Sequence, residues 1–365
     1  MGGRWEALGR LVGWCLLLLL VVGGVAGCAP DDPAEVDPDD PWSLLAEVAY
    51  AQDDLGWSSP VIEVADGGAG FALFVATDGC AAVAHLADET TTWWSEQGES
   101  EGEVRLSPIA GRGMWVHAPD PETDGAAFLR LRRLRCDTMT AAREGAAGGA
   151  RVWVRPLPPG AEDDVTLPIV FHHGPASTFS SSAVSLEAAV DRLMRPAGVS
   201  VEVVASEAAS LPPRLSWSAG RPEALDEVVG DPGDAVHVFF AGCLERVHPA
   251  TGRRTVLDGL VPRVPALGAA GGGIFLRGRE CSAGMGGDAI AWDEEVMAHR
   301  IAHELGHYLG LFHTREPDGT PDDLSDTHDG TLMALRPLDH PIFSPAQAAR
   351  MRLHARLSSA PVPVR

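Results

Sequence analysis

The chain has 365 residues and a formal net charge of −23, with 22% charged residues. Charge of that sign excludes a nucleic-acid backbone as a natural partner, because phosphate recognition needs a basic face. The length allows two domains, and the composition suits a soluble, exported protein.

Arg4 and Arg10 flank the start of an apolar run, Leu11 to Val25, which Val25-Ala26-Gly27-Cys28 closes. This is a targeting segment, to be set aside from the fold. Small residues before a cysteine look like a bacterial lipobox, which implies cleavage before Cys28 and lipid on its sulfur. The alternatives are a secretory peptide cut elsewhere and a permanent transmembrane anchor. The apolar run is at or below the length of roughly 17–20 residues that spanning a bilayer requires. Lipid on Cys28 would hold an otherwise soluble protein at the extracytoplasmic face of a bacterial membrane or at the cell surface. Residues 1–27 carry two arginines and one glutamate, so their loss moves the formal charge from −23 to −24.

Residues 28–41 are acidic and proline-rich, the composition of an extended spacer. Residues 42–146 read as a small, mostly β domain of open role. Trp42–Tyr50 reads as a short helix there. Val61–Val64, Gly70–Ala76, Ala81–His85, Val104–Leu106, Gly113–His117 and Ala126–Leu134 read as strands between Gly, Asp and Pro signals. Glu144–Ala150 is rich in Gly and Ala and reads as a linker. A second domain, 150–365, begins with strands at Arg151–Arg155 and Leu167–His173. Ser185–Arg195 has helical periodicity, and Val201–Ala205, Ala235–Phe240 and Gly273–Leu276 read as strands. The pair His172-His173 ends a strand, where neighbours point to opposite faces, so joint metal binding is disfavoured. Of six cysteines, Cys15 and Cys28 belong to the targeting segment. Cys80, Cys136, Cys243 and Cys281 remain, an even set in an oxidising compartment. The domain boundary favours pairing Cys80 with Cys136 and Cys243 with Cys281, with free buried thiols as the alternative.

A helix from about Asp293 to Leu309 opens with three acidic residues, favourable at its positive end. It carries His303-Glu304-Leu305-Gly306-His307, followed by Gly310 and His313. Spacing of four puts His303 and His307 on one helix face. Gly310 lets the chain leave the helix, so that His313 can return as a third ligand. Three histidines leave one position of a tetrahedral zinc open, the catalytic arrangement. Glu304 is placed to act as general base on a water at that position. Beyond it, residues 316–329 are rich in carboxylates, and Asp322, Asp323, Asp326 and Thr327 have the hard oxygen donors that suit calcium. A solvated acidic loop is the alternative. A last helix spans about Pro345–Leu357.

The extended motif H-E-x-x-H-x-x-G-x-x-H resembles that of the metzincin zinc metallopeptidases. Met333, in Thr331-Leu332-Met333-Ala334-Leu335, is the candidate for their methionine-containing turn. The segments His307–Thr314, Asp323–Thr327, and Phe343–Gln347 with Arg350–Arg352 look most like the pappalysin-type group, whose likeness to calcium-stabilised enzymes strengthens the calcium reading. The resemblance covers roughly residues 150–357 and is sharp from about 293. It implies an α+β fold: a metzincin-like zincin domain with a mixed twisted sheet, an active-site helix and a loop-rich C-terminal subdomain, preceded here by the small mostly β domain. It also implies a zinc-dependent endopeptidase with a protein or peptide substrate. The chain departs from the group's pattern at Thr331, where asparagine is usual, at Leu335, where tyrosine is frequent, and in lacking cysteines after the zinc motif. The reading from another class is a noncatalytic, zinc-stabilised surface lipoprotein that binds a partner through residues 42–146. A latent enzyme inhibited by that same segment is a third. Substrate choice and oligomeric state are not written in the sequence.

Overall fold

A computed structural model describes residues 42–358, apart from 66–69, 97–105, 118–124, 145–147, 158–162, 178–181, 219–224, 226–227, 230–234, 249–250, 267–271, 282–287, 289, 291, 317–318 and 336–340. The targeting segment, Cys28 and the acidic spacer therefore lie outside the described residues, as does most of the strand expected at Val104–Leu106. Among the described residues no helix is long and apolar enough to cross a membrane.

The first nine strands form one sheet. They are β1 (Ser43–Ala49), β2 (Ala51–Asp53), β3 (Gly56–Ser58), β4 (Ile62–Val64), β5 (Phe71–Ala87), β6 (Thr92–Ser95), β7 (Ile109–His117), β8 (Ala127–Leu134) and β9 (Gly149–Pro156). All of its pairings are antiparallel. Three sequence readings change here. The expected helix at Trp42–Tyr50 is β1, paired residue by residue with β9 from Ser43↔Val154 to Ala49↔Gly149. Leu, Ala and Glu favour a helix in isolation, but the open edge of β9 outweighs that weak preference. The two strands expected at Gly70–Ala76 and Ala81–His85 are one 17-residue strand, β5, whose register with β7 slips between Ala76 and Cys80. The strand at Arg151–Arg155 belongs to this sheet, not to the following half: β9 lies between β1 and β5.

The second half has a five-stranded sheet in the order β11-β10-β13-β17-β16 and a small sheet β12-β14-β15. Its strands are β10 (Val165–His173), β11 (Val199–Ala208), β12 (Arg214–Trp217), β13 (Val236–Ala241), β14 (Cys243–Val247), β15 (Arg254–Val256), β16 (Gly259–Leu260) and β17 (Ile274–Arg277). β10, β11, β13 and β17 run parallel, and the edge strand β16 is antiparallel to β17. Helix α1 (Ala183–Met194) connects β10 to β11, α2 (Glu294–Tyr308) follows β17, and α3 (Pro345–Ser358) closes the fold.

Residues 42–358 share one compact unit. Trp42, Ala72, Phe74 and Met114 of the first half belong to the same buried cluster as Phe171, Met297, Ile301, Leu305 and Met333 of the second. Phe74 meets Trp42 edge-on at 6.2 Å and Trp153 at 5.6 Å. Arg263, itself buried, donates to the carbonyl of Pro108 across the same boundary. Disulfides join Cys80 to Cys136 and Cys243 to Cys281, with Cα–Cα distances of 5.2 and 5.0 Å.

Candidate metal centre

The centre grows from the start of α2. Asp293 caps the helix by accepting the Val296 N–H at 2.8 Å, and Glu294 and Glu295 occupy the first turn. With the start fixed, His303 and His307 fall one turn apart on one face. The helix stops in a Schellman turn at Gly310, whose φ is +91°. Leu311 N–H bonds the Gly306 carbonyl at 2.9 Å, and Gly310 N–H bonds that of His307 at 3.1 Å. This reversal returns His313 to the helix. A Cβ at position 310 would stand 2.6 Å from the His354 ring of α3, so conformation and space both require glycine.

The rings of His303, His307 and His313 meet here. One ligand atom from each lies within 4.8 Å of the others, and His307 Nε2 stands 3.2 Å from His313 Nε2. The opposite side of each ring is already engaged. Nδ1 of His303 bonds the Leu332 carbonyl at 2.8 Å, and Nδ1 of His307 bonds the Leu311 carbonyl at 2.8 Å. Nδ1 of His313 bonds Glu316 Oε2 at 3.0 Å. Carbonyls and carboxylates only accept, so each Nδ1 carries a hydrogen, which leaves Nε2 as the nitrogen with the lone pair in the neutral ring. Burial also holds His303 neutral, its pKa pushed down to about 4. Three imidazoles with oriented Nε2 atoms are a donor set that fits zinc.

Glu304 sits beside the ligands, beneath the edge strand β16, and is buried. Burial pushes its carboxyl up to about 8; Arg300 pulls the other way, and the Asp258 charge adds to the rise. The Val261 backbone N–H bonds it. A Cβ on Gly259 would lie 2.1 Å from Glu304 Oε1, so any larger residue on β16 would have to push the carboxylate aside. Arg300 is fixed by Asp258 Oδ2 at 2.9 Å and by the Trp292 ring at 4.1 Å.

Met333 is fully buried, and its Sδ would be 2.4 Å from a Cβ on Gly306, the residue just before His307. The methionine therefore floors α2 between the two helical ligands. Thr331 does not break this turn. Its Oγ1 lies 2.8 Å from Thr314 Oγ1, and Thr314 N–H donates to the Met333 carbonyl at 3.1 Å. The residue after His313 is thus tied to the floor by two bonds. Leu335 is half-exposed, and the chain's two tyrosines are elsewhere: Tyr50 in the core of the first sheet and Tyr308 in that of the second half.

The calcium reading is not supported. Asp323 is committed to Arg350 at 2.7 Å, and Asp326 to Ser344 Oγ at 2.7 Å and the Ala346 N–H at 2.9 Å, where it starts α3. Asp322 accepts from Thr327 Oγ1 at 2.6 Å. Asp323 and Asp326 brace the C-terminal helix instead of converging on a cation, and the His303–His307–His313 group is the only cluster of at least three such residues among the described residues that could hold a metal. His172 and His173 part to opposite faces, toward His237 at 2.7 Å and Ser206 at 3.0 Å. Sequence reasoning missed Gly259, Arg300 and the role of Glu316. Only Glu316 carried a signal, an acidic side chain three residues after the third histidine.

No family model matches the chain, and no curated protein matches it. Among solved structures, archaemetzincin from Methanopyrus kandleri aligns with 16% identity and a TM-score of 0.29, covering 55% of this chain and 96% of that one. Metalloproteinase-II from Bacteroides fragilis aligns with 10% identity and a TM-score of 0.30, covering 56% and 62%. A family two carbohydrate esterase from Clostridium thermocellum aligns with 10% identity and a TM-score of 0.18, covering 53% and 77%. Likenesses this slight carry no functional argument. The three imidazoles do.

Proposed function

We propose that this chain is a zinc-dependent endopeptidase of metzincin type, closest to the pappalysin-type group, acting on proteins or peptides outside the cytoplasm. The observation that carries the proposal is the convergence of three imidazoles beside one buried carboxylate, Glu304. A zinc ion held by His303, His307 and His313 would acidify a water, polarise a peptide carbonyl and support the oxyanion. Glu304 takes the proton as the carbonyl is attacked and passes it to the leaving amine. Its raised pKa suits it to hold that proton between the two transfers. The Leu332 and Leu311 carbonyls keep the rings of His303 and His307 turned toward the metal position. The ligands act as neutral imidazoles, so activity falls at acid pH as they protonate. Net negative charge favours the approach of basic peptides. Cleavage before Cys28 and lipid on its sulfur would keep the enzyme on a bacterial membrane.

The absence of a tyrosine beside the methionine turn favours a second reading, a zinc-stabilised binding protein without turnover. One experiment separates the two. The purified chain from residue 28 onward is assayed for zinc content and for cleavage of casein and a peptide library, with and without a zinc chelator. The enzyme reading expects about one zinc per chain and chelator-sensitive cleavage, with Glu304→Gln keeping the zinc and losing roughly 10²–10⁴-fold in turnover. Zinc without cleavage of any peptide supports the binder, and a fully active E304Q removes Glu304 from its role.

A further inference from the structure

We infer that Glu316 is a positioning residue for the third metal ligand, so that the zinc affinity of the centre depends on a carboxylate that does not touch the ion. The inference rests on the reading that His303, His307 and His313 hold zinc.

The three ligands are not held alike. His303 and His307 stand on a helix, and backbone carbonyls fix their rings. His313 lies past the end of α2, where no regular element restrains it. Its Nδ1 meets a charged acceptor, Glu316 Oε2, at 3.0 Å. Both side chains are largely shielded, 22% and 18% exposed, so solvent screens the contact less than at an open surface. Nδ1 and Nε2 lie on opposite sides of the ring. Glu316 therefore faces away from the point where the Nε2 atoms meet and cannot serve as a fourth ligand through this contact.

Backbone bonds hold Glu316 in place. Arg315 and Pro321 form an antiparallel bridge, Glu316 N–H donates to the Thr320 carbonyl at 2.8 Å, and Gly319 N–H donates to that of Glu316 at 2.8 Å. Arg315 Nη1 donates to the Gly319 carbonyl at 3.1 Å. Gly319 sits at φ +92°, a conformation that glycine adopts freely. The base of this small hairpin is joined to the methionine turn, because Asp322 N–H bonds the Thr314 carbonyl and Thr314 bonds both Thr331 and Met333. A preset anionic acceptor on Nδ1 fixes the ring and makes its Nε2 a stronger donor to a cation, which a neutral carbonyl does less.

The test measures the zinc dissociation constant by competition with a chromophoric chelator for the wild type, Glu316→Gln, Glu316→Ala and Asp329→Asn. The last removes one charge from an exposed position in the same acidic region. The melting temperature of each metal-free protein reports whether the fold has survived. E316Q and E316A are expected to bind zinc about 10–100-fold more weakly at unchanged metal-free melting temperature, with D329N matching the wild type. E316Q keeps the shape of the side chain and stays informative if E316A fails to fold. Wild-type affinity in E316Q overturns the inference. So does a zinc loss matched in D329N, which would make it a bulk charge effect, or a lower metal-free melting temperature in E316Q, which would make Glu316 a structural brace. A wild type that binds no zinc overturns the zinc reading itself and is recognised from that single value.

Discussion

Two regions of the molecule, the Arg132 cluster of the first sheet and the metal centre of the second half, bury charge in opposite ways. In the first sheet, Arg132 has a side chain only 3% exposed, and its surroundings are saturated. It bonds Asp53 at 2.8 Å and Ser58 at 2.6 Å, and it forks onto Glu96. Every contact there closes on the protein itself. At the metal centre, the polar groups are held from one side. The three histidines are bonded at Nδ1 and turned inward at Nε2, and Glu304 is buried at the cost of a strongly raised pKa. Saturated burial supports a fold, whereas burial with one side unspent is available for chemistry.

Titration of the metal-free protein should expose the difference most strongly. The folded pKa of Glu304 lies at about 8, above the ordinary value of 4.5. Below pH 4.5 the group is protonated folded or unfolded. Between 4.5 and 8 the unfolded carboxyl ionises first, so its contribution to stability is lost as pH rises. Metal-free E304Q lacks that loss. Denaturant unfolding should find it more stable than the wild type at pH 8.5, relative to their difference at pH 4.5, by about 4 kcal/mol. A pH-independent gap would mean that the carboxylate is solvated. In the first sheet, Arg132→Met should cost about 2 kcal/mol, less than a fully buried pair because Asp53 and Glu96 are each about a third exposed. Zinc affinity should not change, and a shift in it would show that the two halves are coupled electrically. The smallest effect is expected at the seam. Gly259→Ala drives a methyl into Glu304 and should lower kcat about tenfold, or ~1.4 kcal/mol, while zinc content stays at the wild-type level. Unchanged kcat in G259A would show that the carboxylate can move aside freely.

What could be read from the sequence divides along the same line. The histidine-bearing helix was legible because its spacing is local: His303, Glu304 and His307 fix one another through helical geometry alone, and Gly310 marks the stop. Met333 was legible only through family resemblance, since nothing local requires a sulfur beneath Gly306. The strand Ser43–Ala49 was not legible, because Leu44, Leu45 and Ala46 take their conformation from β9, over a hundred residues away. The Gly-Ala run before Ala150 imitates a linker, yet Gly149 already pairs in the sheet, where its lack of a side chain suits close approach to Val48. Gly259 and Glu316 belong to short segments whose meaning is purely spatial. The carboxylates at Asp323 and Asp326 read as cation ligands because composition cannot tell an acidic site from acidic side chains committed to Arg350 and to the start of α3.

The core shared through Trp42, Phe74 and Met114 bears on the order in which the molecule assembles. Strands β1 to β9 find their sheet partners within residues 43–156, so that sheet can close while the rest of the chain is still being made. The later half cannot finish its interior alone, because part of the wall behind Phe171 and Met297 was laid down first. A protease that clipped the chain between the halves would leave them adhering across a greasy seam. Maturation by discarding residues 42–146 would tear open the interior, because Trp42, Ala72, Phe74 and Met114 would leave with them.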